Sequence, residues 1–270
     1  MKAKSSVASP YVVWMCIFIA LPLGLVVYFA FTDKNGAFTM ENISGLGQYA
    51  PVFMRSIILA AVATVICLVV AYPLAYILSR MRVSKQRLVL MLVMLPMWMN
   101  FLLRTYAWMT ILERNGLINR FLGLFGIGPL QMINTQGAVI LGMVYNYLPF
   151  MILPLYTVMV KIDQSLIEAA QDLGGGHLAV LSKVLLPLSL PGISTGITMV
   201  FVPAISTFII SRMLGGGSNL LIGDLIELQF LGNSYNYNLG SAMSLVLMII
   251  VLLCMSITNQ MSDEGMEGVI

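Results

Sequence analysis

Residues 168–187 read EAAQDLGGGHLAVLSKVLLP, and this short polar segment lies between two long apolar stretches of the chain. It combines a glutamate, two alanines, a run of three glycines and a Leu-Pro pair. Ser165 and Glu168 have the spacing of a capping box, in which two side chains satisfy backbone donors where a helix begins. The glycines at 174–176 favour the end of that helix and a sharp turn. The segment therefore predicts a short helix followed by a tight turn.

A second short helix is predicted over about residues 177–185. Pro187 and Pro191 lack a backbone N–H, so we expect them to end this helix before the next apolar stretch. A helix–turn–helix without a catalytic side chain and with small residues on its exposed side is typical of a docking element for another protein. The alternative is a pair of helices that lie on the lipid surface, with Glu168 serving only as a cap.

The chain around this segment is strongly apolar. Of its 270 residues 59% are hydrophobic and only 9% are charged, whereas a soluble domain has about 25% charged residues. The composition therefore indicates a membrane protein. Cys16, Cys67 and Cys254 each lie in an apolar run, and we expect small buried thiols rather than disulfides. A single histidine, His177, cannot form a histidine-based metal site alone, so neither a metal nor a cofactor is expected in this chain.

Six apolar stretches are long enough to cross a bilayer as helices, which takes about 20 residues each. They lie at residues 11–31, 56–79, 88–112, 137–160, 192–212 and 239–259. Lys2 and Lys4 precede the first stretch, which is longer than the apolar core of a cleaved signal peptide. The sequence contains no GxxxxGK[ST] phosphate-binding motif. The predicted fold class is all-α, a single transmembrane domain over residues 1–270 with six helices.

Basic residues predict the orientation of these helices. Arg80, Arg82, Lys85 and Arg87 crowd the connection between the second and third stretches, and such basic connections lie in the cytoplasm. The connection 161–190 and both termini are then also cytoplasmic. The connections 32–55, 113–136 and 213–238 are expected on the external side.

The opening segment resembles the EAA loop of ABC-importer permeases. The pattern there is EAA, three residues, Gly, nine residues, a branched aliphatic residue, one residue, and Leu-Pro. The matching positions are Glu168, Ala169, Ala170, Gly174, Val184, Leu186 and Pro187. Valine at 184, where isoleucine is commoner, is the one departure. Residues 161–190 are called the EAA loop from here on.

The resemblance implies a type I ABC importer permease fold and a role in energy coupling. In such permeases the EAA loop forms a coupling helix that docks in a cleft of a separate ATPase subunit, which binds ATP and magnesium. Closure of the ATPase dimer passes through the loop to the spanning helices, which rock between inward-open and outward-open states. The implied partners are a second, homologous permease, two ATPase subunits, an external binding protein and the lipid bilayer. Nucleic acid is not among these partners. The resemblance also implies that the chain is not itself an enzyme and that it lies in a bacterial inner membrane.

Further segments resemble the spermidine/putrescine branch of that family. They read AYPLAYILSR (71–80), LLRTYAWMTIL (102–112), NGLIN (115–119), YLPFMILPLY (147–156) and NLLIGDLIELQFL (219–231). The similarity runs from about residue 11 to residue 258. It implies that the chain forms half of a pathway for polyamines, which an external polyamine-binding protein delivers.

A polyamine carries two or more positive charges, so its path needs carboxylates, carbonyl oxygens or aromatic faces. The sequence candidates are Trp98, Asn100, Tyr106, Tyr145, Asn146, Asp224 and Glu227, and Trp108, Tyr147 and Tyr156 offer further rings. The aromatic residues are alternatively belt residues at the membrane interface. The two carboxylates are alternatively ordinary charges of the external surface. Arg104 would repel a polyamine, and we expect it to face an internal partner or to reach the external interface.

Other functions fit the sequence less well. A secondary transporter would need ion-coupling carboxylates near the midplane and usually an inverted repeat, and neither is visible. An intramembrane aspartyl protease would need a GxGD motif, but the first glycine is replaced by Leu221. Within ABC importers of the same architecture, molybdate, sulfate, phosphate, iron(III), opines and amino-acid-like solutes stay open as cargo.

Overall fold

The computed structural model describes residues 10–217, 219–232 and 235–267, with side chains up to residue 260. Within these residues the chain is helical, and its only β-type pairing is an isolated bridge between Thr32 and Phe38. The all-α prediction is confirmed. Lys2 and Lys4 lie outside the described residues.

Five helices of the described chain are long and apolar enough to cross a membrane, or six if a bent pair counts as one span. The five are Pro10–Ala30, Glu41–Ser79, Gln136–Met159, His177–Ile205 and Tyr237–Gln260, and the bent pair is Val83–Trp98 with Phe101–Gly123. They are numbered spans one to six in chain order, with the bent pair as span three. Three shorter helices are Gln164–Asp172, Ile209–Gly215 and Ile222–Leu231.

Span three is broken where the sequence predicts one straight helix over 88–112. Its two halves meet at an angle of 89°. The Asn100 side chain causes the restart, because its Oδ1 accepts hydrogen bonds from the backbone N–H groups of Leu102 at 2.8 Å and Leu103 at 3.4 Å. Asparagine at this position satisfies donors that a new helix start leaves unpaired. The prediction of an unbroken third span is therefore wrong.

Span five begins earlier and ends earlier than predicted. The helix runs through Pro187 and Pro191, which were expected to end a separate short helix. Residues Leu181–Leu185 form a π-helical turn in which the Leu186 N–H bonds to the Leu181 carbonyl. This wider turn displaces the Lys183 carbonyl, which the Pro187 ring would otherwise meet, so the helix continues past Pro187. The helix stops at Ile205 rather than at 212.

Spans two, four and five form the tightly packed centre of the molecule. Span two has a row of fully buried small residues, which are Ala60, Ala63, Cys67, Ala71 and Ala75. The Cys67 Sγ lies 3.8 Å from the Val144 carbonyl oxygen of span four. Between spans four and five, a Cβ at Gly196 would lie 2.5 Å from the Met151 Sδ. Small residues thus allow the backbones to approach closely, as in other membrane helix bundles.

Span one packs against span six and is otherwise exposed. The Asn238 side chain joins the two, because its amide donates to the carbonyls of Phe29 at 3.1 Å and Thr32 at 2.6 Å. Cys16 in span one is exposed, so the prediction of a buried thiol is wrong there. Cys67 is buried as predicted, and Cys254 is half-buried. Span one therefore presents an apolar surface to lipid or to another subunit.

Candidate functional site

The first helix of the EAA loop, Gln164–Asp172, begins after Asp163 and not at Ser165. Asp163 has extended backbone, and its Oδ1 accepts a hydrogen bond from the Ser165 N–H at 3.0 Å. The predicted capping box of Ser165 and Glu168 is therefore wrong, since Ser165 already lies in the first helical turn. Glu168 is exposed, and its carboxylate stays on the surface of the loop.

Asp163 places a negative charge at the N-terminus of this helix. The pKa of its carboxyl is lowered, chiefly by hydrogen bonds from the backbone and the hydroxyl of Ser165, and to a smaller extent by attraction to the Arg80 guanidinium. A carboxylate at this position complements the positive end of the helix dipole. Sequence reasoning missed this residue, although an aspartate directly before a helical pattern is a capping signal.

A glycine turn closes the helix in a way that explains the spacing of the EAA pattern. The Gly174 N–H bonds to the Gln171 carbonyl and the Gly175 N–H to the Ala170 carbonyl, each at 2.9 Å. These two bonds form a Schellman motif, which requires a left-handed residue after the helix. Gly174 supplies it with φ of +84°. A Cβ at Gly175 would lie 2.5 Å from the Ala170 carbonyl oxygen, so that position also lacks room for a side chain.

Two exposed leucines flank this turn. Leu173 is 89% exposed and Leu178 is 81% exposed. Ile167 and Val180 are buried beneath them and hold the loop against the rest of the chain. Exposed apolar side chains grouped beside charged ones mark an interaction surface, and Glu168 and Ala169 of the same helix are also exposed. The tip of the EAA loop thus has the chemistry of a docking surface.

The remaining EAA positions lie where the loop joins span five. Val184 belongs to the π-helical turn, and Leu186 and Pro187 follow it directly. Val184 and Pro187 are half-buried and Leu186 is exposed. The structure therefore divides the pattern between the loop tip and the base of span five.

Three pathway candidates lie on the open side of span three. Trp98 is 78% exposed, and Asn100 and Tyr106 are also exposed. Asn100 uses its side-chain oxygen as a helix cap, so only its amide nitrogen stays available to another group. This face is apolar and aromatic, and within the described chain it has no covering helix.

The candidates of span four lie deeper. Trp108 meets Tyr145 edge to face, with ring centroids 5.5 Å apart. Asn146 is buried, and its amide nitrogen donates to the Gly142 carbonyl at 2.8 Å. The Asn146 side-chain oxygen is buried without a hydrogen-bond partner among the described residues. Trp108 of span three and Tyr145 of span four thus form an aromatic pair, and the buried acceptor of Asn146 follows Tyr145 in the chain.

The phenols of two further tyrosines have structural partners. The Tyr147 hydroxyl donates to the Pro203 carbonyl at 3.3 Å, and the Tyr156 hydroxyl donates to the Gln86 side-chain oxygen at 3.0 Å. These bonds join span four to span five and to span three. Both hydroxyls are therefore committed to packing between spans.

Arg104 is buried, with 8% of its surface exposed, which favours the expected internal partner over the alternative that it reaches the external interface. Its guanidinium carbon lies 5.9 Å from the centroid of the Phe101 ring. Its Nε and Nη1 have no hydrogen-bond partner among the described residues. An aromatic face is thus the internal partner of this cation.

Asp224 is fully buried, although an accessible external charge was expected there. Its Oδ2 accepts hydrogen bonds from the Ser211 hydroxyl at 2.6 Å and from the Leu221 N–H at 2.8 Å. The second bond caps the helix Ile222–Leu231. The Ile222 N–H donates to the Ser56 hydroxyl at 2.8 Å, which fixes this helix to the start of span two. The carboxylate therefore holds the segment together and does not face an open path.

Glu227 is half-buried and paired. Arg212 Nη1 donates to its Oε1 at 3.0 Å, and the two side chains form an ion pair. Neither carboxylate of this segment is thus free to receive a cation in this conformation. Across the described part of the chain, no three His, Cys, Asp or Glu side chains are grouped as metal ligands would be.

The burial of Asp224 predicts a dependence of this segment on pH. Burial raises the pKa of its carboxyl, and the bonds from Ser211 and Leu221 and the charge of Arg212 oppose that rise. A raised folded pKa adds stability that is fully present below the unfolded pKa and is lost as the pH rises through the folded pKa. We expect the amide protons of Ile222–Leu231 to exchange faster, after correction for intrinsic rates, at about pH 8 than near the ordinary aspartate pKa of about 4.

The measurement is hydrogen exchange on the detergent-solubilised protein. Asp224→Asn serves as the control, because an amide of the same shape does not titrate. Identical pH profiles for the wild-type and Asp224→Asn proteins would show that this carboxyl does not control the segment.

Comparison with known proteins gives the same family along nearly the whole chain. Residues 11–267 match the family described as "Binding-protein-dependent transport system inner membrane component". The spermidine/putrescine transport system permease protein PotB of Haemophilus influenzae is 39% identical over 250 residues, which cover 89% of this chain and 87% of that protein. PotB of Escherichia coli is 37% identical over 248 residues, with 88% and 90% covered.

A solved structure shares the fold. It is that of a bacterial ABC transporter involved in the import of the acidic polysaccharide alginate, with a TM-score of 0.81 at 16% identity, covering 97% of this chain and 95% of that one. At this identity the likeness concerns the fold alone, and it confirms the type I ABC importer permease fold. Together with the family match over residues 11–267, it shows that this chain belongs to the inner membrane components of binding-protein-dependent transport systems.

Proposed function

We propose that this chain is one of two permease subunits of an ABC importer for polyamines, with spermidine and putrescine as cargo. The observation that carries the coupling role is the tip of the EAA loop, where a Schellman turn lies between the exposed Leu173 and Leu178. The cargo rests on the relatives, since two permeases named for spermidine and putrescine transport match this chain over nearly all of its length.

The EAA loop docks on an ATPase subunit through this tip. Leu173 and Leu178 enter an apolar cleft of the ATPase, and Glu168 lies beside them at the contact. Burial of a leucine side chain contributes about 1.5–3 kcal/mol, so two leucines supply a large share of a specific contact. ATP and magnesium belong to the ATPase subunit.

Span five carries the movement away from the loop. His177–Ile205 is one helix of 29 residues, and at about 1.5 Å per residue it is about 43 Å long. When the ATPase displaces the end of this helix at His177, the opposite end at Ile205 and the break at 206–208 therefore move as well. Val184, Leu186 and Pro187 lie at the base of this lever, where the π-helical turn allows the helix to bend.

The EAA loop lies in the cytoplasm. The exposed basic residues Arg82, Lys85 and Arg87 lie on the connection between spans two and three and in the first turns of span three, and Arg80 of the connection contacts the EAA loop. Basic connections stay on the cytoplasmic side. Both termini then also lie in the cytoplasm, and the helix Ile222–Leu231 faces the external binding protein.

The polyamine passes along the open side of span three. Trp98 and Tyr106 offer aromatic faces to an ammonium group, and the amide of Asn100 lies at the break between them. Tyr145 and Asn146 continue the path at greater depth. The second permease subunit covers this face and completes the path. Asp224 and Glu227 act indirectly, by holding the external segment in place.

Uptake of labelled spermidine and putrescine tests the proposal. The chain is expressed with its neighbouring subunits in cells deleted for their own polyamine importers. ATP-dependent uptake that requires this chain is the expected result. An assembled, ATP-hydrolysing complex that imports no polyamine would leave the permease role intact and reject the cargo. The solute held by the external binding protein would then identify the cargo.

A further inference from the structure

The turn that joins spans two and three touches the start of the EAA loop. Arg80 follows the last residue of span two, and its Nη1 donates to the Ile162 carbonyl at 3.1 Å. Ile162 directly precedes Asp163, the residue that caps the helix Gln164–Asp172. The Arg80 guanidinium thus lies at the point where span four ends and the EAA loop begins.

A second contact fixes Arg80 in this place. Its guanidinium carbon lies 5.7 Å from the centroid of the Tyr76 ring, one turn earlier on span two. Its charge also attracts the Asp163 carboxylate weakly, without forming an ion pair. The contacts of this one cation therefore join span two to the start of the EAA loop.

Gln86 makes a second tie between the same elements. It is a buried polar residue at the start of span three. Its amide nitrogen donates to the Met81 carbonyl at 2.9 Å and to the Ser79 carbonyl at 3.3 Å, and its oxygen accepts from the Tyr156 hydroxyl at 3.0 Å. Gln86 thus holds the turn closed and links it to the last turns of span four.

The other basic residues of the connection and of the first turns of span three have no such contacts in the part of the chain that the structure describes. Arg82, Lys85 and Arg87 are exposed, as expected of charges that only set orientation. The contacts of Arg80 go beyond that role, because a charge that merely keeps a loop in the cytoplasm needs no fixed partner.

We propose that Arg80 and Gln86 form a clasp that couples the EAA loop to spans two and three, and that Arg80 is a positioning residue for energy coupling. The inference rests on the proposed coupling role of the EAA loop. Closure of the ATPase moves the helix Gln164–Asp172, and the clasp makes spans two and three follow that movement together with span four. The open side of span three, with Trp98 and Tyr106, then moves with the ATPase. Without the clasp, the loop moves and span three lags behind.

The test uses the whole importer with all its subunits in proteoliposomes. The ratio of ATP hydrolysed to polyamine imported is measured for wild type, Arg80→Gln and Arg87→Gln. Loss of a hydrogen bond to a charged group reduces coupled uptake by about tenfold in Arg80→Gln, while ATP hydrolysis falls far less. Arg87→Gln removes the same charge from the exposed start of span three, seven residues away, and keeps the wild-type ratio. Arg80→Lys recovers most of the uptake, because its ammonium group reaches the Ile162 carbonyl.

A purely structural role would lower uptake and ATP hydrolysis together and leave the ratio unchanged, and that result would overturn the proposal. Equal ratios for Arg80→Gln and Arg87→Gln would overturn it as well. If the Arg80→Gln importer fails to assemble, Tyr156→Phe takes its place, because it removes only one hydroxyl from the clasp. Its ratio of ATP hydrolysed to polyamine imported must then rise above that of the wild type. Absence of polyamine uptake by the wild-type importer would reject the cargo only. In that case the test measures how strongly the liganded binding protein stimulates ATP hydrolysis. Arg80→Gln must weaken this stimulation, and Arg87→Gln must leave it unchanged.

Discussion

Gly174→Asp is expected to abolish uptake while the chain still inserts in the membrane. Gly174 has φ of +84°, a conformation that costs a residue with a Cβ about 1–2 kcal/mol. The turn would shift, and with it the relative positions of Leu173 and Leu178 at the loop tip. The new charge also lies on the surface that docks with the ATPase. Uptake assays and co-purification of the ATPase measure the two consequences.

Gly176 provides the matched control for this substitution. It is exposed, has φ of −68° and has open space where a Cβ would lie. It is also the N-cap of the following helix, a position that aspartate favours. Gly176→Asp adds the same charge to the same loop tip without straining the turn, so it should retain clearly more uptake than Gly174→Asp, and the difference between the two variants measures the role of the turn. Normal uptake by Gly174→Asp would reject the coupling role of this turn.

The double variant Leu173→Glu with Leu178→Glu is expected to separate the ATPase from the membrane subunits. Each side chain is more than four-fifths exposed in the isolated chain and becomes buried in the docked complex. The loss of two buried leucines removes about 3–6 kcal/mol of apolar burial, a change of at least about a hundredfold in affinity. The folded permease itself should be unaffected, because neither leucine belongs to its core.

Leu231→Glu is the control, since Leu231 is 78% exposed but lies at the end of the helix Ile222–Leu231, outside the EAA loop. Detergent extraction followed by co-purification gives the ratio of ATPase to permease for both proteins. A wild-type ratio in the double variant would show that the tip is not the docking surface.

Long apolar stretches were sufficient to find the spans. The predicted stretches 56–79 and 137–160 agree closely with the helices Ala50–Ser79 and Gln136–Met159. Length and apolarity decide such elements, because backbone groups in a bilayer must pair within the helix. Bends are harder to predict, since they depend on whether a side chain or the helix backbone makes the local hydrogen bond. Asn100 is polar in an apolar stretch, but only the structure shows that its side chain replaces a helical bond.

The prolines led to the opposite error, a predicted helix end where the helix continues. Pro187 and Pro191 were predicted to end a helix, and the helix continues through both. The π-helical turn at Leu181–Leu185 accommodates Pro187, and nothing in the local sequence specifies such a turn. A local rule of this kind fails where the packing of a whole span outweighs the loss of single hydrogen bonds.

The positions of charged side chains were the least predictable part of the candidate site. Asp224 was expected at the surface, but it is buried against a partner, Ser211, that lies 13 residues earlier in the chain. Arg80 was interpreted only as an orientation signal, although its partner Ile162 lies 82 residues away. Contacts of this range depend on how spans pack, which one sequence does not state. The glycine and alanine positions of the EAA pattern were predictable, because a Schellman turn is built from neighbouring residues.

The row of alanines and Cys67 on span two limits how this permease can change in evolution. A substitution such as Ala71→Leu keeps the apolar character of the span, and a measure of hydropathy alone would accept it. The buried row leaves no space for the added carbon atoms, so the larger side chain would force span two away from its neighbours. The most apolar part of the chain is therefore among its least permissive parts, and drift in this span is confined to the side that faces lipid.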